Sequence, residues 1–157
     1  MTGYYIDGAE GGGPKPETLF WRNVVRPRLI HFGVLHRIEN VAEVGTPDVA
    51  YCLHRGDRKG VSGFIELKHA HEWPTRENTI FRFKHYTVDQ ADWIEEWGRI
   101  GRSCVLAQVA TEFLLVPSKH CRELQRGVNR RRFYEIADVR SDDVFPTGRI
   151  VRWLTER

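Results

Sequence analysis

The chain has 157 residues, 41% of them hydrophobic and 29% charged, with a formal net charge of +3, which suits one domain with its own apolar core. No apolar run reaches the roughly 20 residues of a membrane helix, and the N-terminal MTGYYIDGAEGGG lacks the layout of a secretion signal, so a cytoplasmic protein with no membrane partner is expected. Three widely spaced cysteines, Cys52, Cys104 and Cys121, with no C-x-x-C pair, indicate neither a disulfide framework nor a four-cysteine zinc site.

In chain order, residues 1–16 are rich in Gly and Pro and read as an arm preceding one domain over residues 17–157. Leu19, Phe20 and Val24 in ETLFWRNVVR recur at helical spacing, and Pro27 is expected to end or kink that helix. HRIENV, PDVAYCLHR and VSGFIELKHA then read as three strands. From Tyr86 the period changes: Thr87 and Gln90 form a T-x-x-Q capping box, and Trp93, Ile94, Trp97 and Ile100 share one helical face up to Gly101. SCVLAQVA and EFLLVP read as two further strands, and SKHCRELQRG as a short helix capped by Ser118. Residues 128–157 mix a basic run, turn chemistry and the amphipathic RIVRWLTE, and receive no topology. Helix, three strands, helix, two strands is an α/β order with a mixed central sheet covered by helices.

Two basic clusters stand beside turn residues: Arg55, Arg58 and Lys59 in RGDRKG, and Arg130, Arg131 and Arg132 in NRRRF. Such clusters suit phosphate contact, and solvated loops are the alternative.

The strand GFIELK carries the chemistry. Residues two apart on a strand share a face about 6.5 to 7 Å apart, so Glu66 and Lys68 point the same way while Ile65 and Leu67 point the other. If the strand opened by Asp48 pairs beside this one, the Asp48 carboxylate reaches the same edge. Two acids and an amine can hold a hard cation such as Mg²⁺ through oxygen, activate water and steady negative charge on a phosphoryl group.

GTPD followed by GFIELK resembles the PD-(D/E)xK nuclease motif, and QADWIEEWGRIG is similar to the Gln-x-x-Trp helix of its phage-type and VRR-NUC branches, which include Holliday junction resolvases. The resemblance covers about residues 17–116. It implies a restriction-endonuclease-like fold, with a mixed central β-sheet flanked by helices, and Mg²⁺-dependent endonucleolytic cleavage of DNA, with Mn²⁺ as a substitute. Asp48 and Glu66 would be metal ligands, the Leu67 carbonyl a further ligand and Lys68 the catalytic lysine. Gln90 would sit near the site, and Glu17 is the candidate for the acid that the first helix often supplies. Branched DNA or a Holliday junction is the implied substrate, a homodimer the implied assembly, and a 5′-phosphate the implied product end.

Other readings stay open. Glu66 and Lys68 also suit an edge-strand pair that guards against sheet-to-sheet association. The capping box alone accounts for Gln90. Glu39 and Glu43 are further candidate acids, and Arg37 can share a strand face with Glu39, touching phosphate or pairing with it. His69 and His71, with His85, His120 and Cys121 elsewhere, raise a zinc site without a recognised zinc spacing. A binding or assembly protein that keeps the fold without cleaving is the alternative of a different class.

Overall fold

The computed structural model describes residues 13–39, 43–57 and 59–156. Most of the expected arm, residues 1–12, and Arg58 of the first basic cluster lie outside the described residues.

Helix α1 (Pro16–Phe20) does not stop before Pro27. It passes through a π-helical turn, Trp21–Val25, into α2 (Arg26–Leu29), and closes in a 3₁₀ turn at Ile30–Phe32. Pro27 falls in the first turn of α2, just after the widened segment, where its ring is tolerated. Proline has no N–H to give Asn23, and the Arg28 Nη1 donates there instead, 3.4 Å from the Asn23 carbonyl oxygen and 3.1 Å from that of Val24.

Six strands form one sheet in sequence order: β1 (Gly33–Arg37), β2 (Val49–Leu53), β3 (Val61–Ala70), β4 (Arg102–Val109), β5 (Glu112–Pro117) and β6 (Val139–Asp142). Neighbours are antiparallel except β3 and β4, which run parallel. A parallel pair needs a crossover, and α3 (Val88–Gly98) lies in it. The β3 strand spans the expected VSGFIELKHA, whereas β1 sits earlier than HRIENV and ends at Arg37. Its ladder with β2 closes at the Arg37–Val49 pair, with one more bond from Ile38 N–H to the Asp48 carbonyl oxygen, because the next residue back, Pro47, has no N–H to give.

Beyond β5 a 3₁₀ turn at Ser118–His120 leads into α4 (Cys121–Arg126), with no side-chain cap bond from Ser118. The region left without topology contains α5 (Arg130–Ile136), the edge strand β6 and α6 (Thr147–Thr155). Asn129 caps α5, its side chain accepting from Arg132 N–H.

Helices cover both sheet faces. On one, Leu35, Val49, Leu53, Ile65, Leu67, Leu106 and Leu115 pack with Phe20, Val25 and Leu29, and with Ile150 and Leu154 of α6. On the other, Ala70, Val105, Ala107 and Leu114 meet Ala91 and Ile94 of α3, Leu124 of α4 and Phe133 of α5. The molecule is thus mixed α/β, with a six-stranded mixed sheet between helical layers. Among the described residues no helix is long and apolar enough to cross a membrane.

Candidate active site

The central position of β3 sets the site. Its inward face continues from Phe64 to Ala70 through Glu66 and Lys68, so both charged side chains enter the layer under α3. Glu66 is fully buried and Lys68 is 3% exposed. A solvent-facing edge-strand pair is therefore ruled out, because neither charge faces solvent.

Lys68 Nζ lies 2.7 Å from Glu66 Oε1, 3.3 Å from the His85 carbonyl oxygen and 3.4 Å from Gln90 Oε1. The Tyr86 ring closes the remaining side, its centre 5.1 Å from the ammonium. Three acceptors and one aromatic face fix the amine in a single direction. Gln90 serves the capping box and also reaches Lys68. The Thr87 hydroxyl accepts from Gln90 N–H, and Gln90 Oε1 accepts from Thr87 N–H at 3.0 Å and from Lys68. The capping box is what aims the amide oxygen at the lysine.

Asp48 occupies the turn before β2. Gly45 in that turn has φ +85°, and a β-carbon there would stand 2.6 Å from the Asp89 carbonyl oxygen, so only glycine lets the turn seat against the start of α3. Because β2 begins at Val49, opposite Ile65, the β2-side edge of β3 is unpaired by strand beyond that residue. Leu67 N–H emerges there and donates to Asp48 Oδ2 at 2.8 Å. In an extended strand the N–H and C=O of one residue point to the same edge, so the Leu67 carbonyl faces the Asp48 side as well.

The electrostatics of Glu66 are unusual. Burial pushes its carboxyl up to about 8; Lys68 opposes this, and the adjacent Asp48 carboxylate reinforces it. Glu66 Oε2 is buried with no donor. Asp48 is close enough to raise the Glu66 carboxyl by charge and by hydrogen bonding, yet two ionised carboxylates are both acceptors. A shared proton, a cation or a bridging water satisfies such a pair.

A donor set of two carboxylates and a backbone carbonyl fits a hard divalent cation, with water completing the shell. No group of three or more His, Cys, Asp or Glu side chains at metal-binding spacing occurs among the described residues. The histidines are dispersed. The His69 and His71 rings meet edge to face at 5.1 Å beside Phe20, His69 leaving β3 on the face opposite Lys68, and His120 lies 3.6 Å from Glu123. Cys121 is buried.

The other expected residues are placed as follows. Glu17 belongs to α1, whose Phe20 packs on the face opposite Glu66, and none of the hydrogen bonds or ion pairs among the described residues joins it to Asp48 or Glu66. Arg37 aligns with Val49 and Ile65, also on that opposite face, with Nη1 buried and lacking a hydrogen-bond partner. Glu39 lies beyond the end of β1, so it does not share a strand face with Arg37. Arg55 and Lys59 are exposed, and no ion pair among the described residues engages them. The second cluster is tied to acids instead: Arg130 to Glu112, Arg131 to Glu135, and Arg132 to Glu123 and Glu135. Sequence reasoning missed the His85 carbonyl and the Tyr86 ring. Their signal was position, immediately before the Thr87 cap.

No protein-family model matches the chain. No curated protein matches it either.

Proposed function

We propose that this protein is a divalent-metal-dependent endonuclease of the PD-(D/E)xK type, with a restriction-endonuclease-like core built on β1–β4 and α3. The observation that carries the reading is the buried Glu66 carboxylate, close enough to Asp48 to feel its charge and with Oε2 lacking a hydrogen-bond partner, beside an amine held in place by three acceptors.

In this reading Asp48, Glu66 and the Leu67 carbonyl hold Mg²⁺ or Mn²⁺. The cation supplies Lewis-acid activation of a water and neutralises charge on the phosphoryl group. Asp48 is steadied by Leu67 N–H, which keeps one oxygen directed along the strand edge. Lys68, fixed by Glu66, Gln90 and the His85 carbonyl, orients the attacking water and stabilises the charge that develops on the phosphate. Arg55 and Lys59 are exposed cations that can meet the DNA backbone. Branched DNA as substrate and the homodimer as active species rest on the motif resemblance alone.

The test is cleavage of linear, flapped and four-way DNA with Mg²⁺, Mn²⁺ or chelator, for the unaltered chain and for Asp48→Ala, Glu66→Ala and Lys68→Ala. Metal-dependent cutting lost in all three variants supports the reading. DNA binding without cutting in any metal would move it to the non-cleaving alternative.

A further inference from the structure

A second site lies farther along α3, outside the Asp48–Glu66 centre. Trp93 and Trp97, one helical turn apart, stack with ring centres 5.0 Å apart and planes 19° apart, and Phe64 of β3 packs edge-on against both. Phe64 braces one side of the stack, and Trp97 remains 48% exposed. Ile100 follows at the end of the helix, 98% exposed. Together with Glu43, Glu96 and Gly101 these side chains line a pocket of about 510 Å³.

The charges on α3 select the occupant. Asp92 and Glu95 face Arg122, which bonds both, and Glu95 also meets Arg99. Glu96, on the pocket side, enters no ion pair among the described residues. An open indole face with a carboxylate beside it attracts a cation, and a guanidinium both stacks on the ring and bonds the carboxylate. Ile100 offers apolar surface for the aliphatic stem of the same side chain. A phosphate backbone is disfavoured at this rim by like charge.

We propose that the pocket formed by Trp93, Trp97, Ile100 and Glu96 docks an arginine side chain from a basic segment of a partner protein. The indole face and Glu96 hold the guanidinium, and the proposal stands whether or not the Asp48 centre cleaves DNA.

The probe is an acetylated, amidated hexapeptide with three arginines, compared with a counterpart carrying citrulline, which keeps the shape and loses the charge. Binding to the full chain is followed by the indole N–H signals in two-dimensional NMR. The arginine peptide is expected to shift the Trp97 signal saturably while the citrulline peptide does not. Affinity should fall about tenfold in Trp97→Ala, read on Trp93, and about threefold in Glu96→Gln, with thermal melts confirming both folds. Asp48→Ala should bind the peptide as the unaltered chain does, which separates this outcome from failure of the nuclease reading. Equal response to citrulline, or no saturable response to arginine, overturns the proposal. So does a saturable Trp97 shift with an unpaired dinucleotide in place of the peptide, which would assign the pocket to a nucleobase. A Trp97 shift that grows with protein concentration alone would assign it to a second copy of this chain.

Discussion

Replacing Glu66 by Gln should flatten the dependence of stability on pH in chelator. In the folded chain burial holds the Glu66 carboxyl up to about 8, against an ordinary value of 4.5. Above 4.5 the unfolded chain gives up this proton while the folded chain keeps it, so stability falls as pH rises from 4.5 and levels off beyond about 8. At about 1.4 kcal/mol for each tenfold change in proton activity, the ceiling on that loss is about 5 kcal/mol. Side-chain relaxation and water entry reduce it, and about 2 kcal/mol is a fair expectation, or roughly 5 °C in Tm for a chain of this length. The amide introduced by Glu66→Gln has the same shape as the carboxyl, still accepts from Lys68, and does not titrate. The assay is thermal unfolding of both proteins by circular dichroism in chelator, from about pH 5.5 to about pH 8.5, which spans most of the window between the two values. The wild-type curve should fall more steeply, and the difference isolates Glu66 because the other titrating groups are common to both. Parallel curves would refute the argument. Addition of Mg²⁺ at about ten times its dissociation constant should then raise the wild-type Tm by about 3 °C, through about 1.4 kcal/mol of linkage, and leave the Gln variant nearly unmoved.

Asp48→Asn keeps an acceptor for Leu67 N–H, so Tm should change by less than about 3 °C while cleavage falls by about a hundredfold or more, measured on one labelled DNA; equal cleavage would remove Asp48 from the metal. Gln90→Ala should cost up to about 1 kcal/mol by removing the bond from Thr87 N–H while the Thr87 hydroxyl still caps the helix, and should also lower kcat, whereas Gln90→Glu should restore the lost bond; unchanged kcat in the Ala variant would leave Gln90 a capping-box residue only. Neutralising Arg55 and Lys59 should reduce the slope of log affinity against log salt by roughly 0.9 for each duplex phosphate they had engaged. Arg132→Ala, by contrast, should leave that slope unchanged, because its guanidinium is committed to Glu123 and Glu135. Light scattering at micromolar concentration tests the dimer, and a strict monomer making paired cuts in a four-way junction would defeat it.

Local patterns carried much of this architecture. The β3 strand was legible from its apolar run, the shared face of Glu66 and Lys68 from the two-residue period of a strand, and α3 from a capping box whose two bonds are both made. The sequence also placed Asp48 in a turn ahead of a strand. It could not show that β2 starts opposite Ile65, which leaves Leu67 N–H to Asp48, because register is a property of two strands together. Nor could it assign α1 to the face opposite Glu66, or commit Arg130 to Glu112 of β5 and Arg132 to Glu123 of α4, since both depend on how separate elements pack. The amphipathic RIVRWLTE of α6 was legible but its place in the fold was not, and the short α5 and β6 have too few residues to carry a period; packing on β5 and the β2–β3 face holds all three. Burial came last: E-x-K is a pair of charges in any strand, and only the tertiary fold removes bulk water from Glu66, raises its carboxyl and sets it close to Asp48 with Oε2 lacking a hydrogen-bond partner among the described residues.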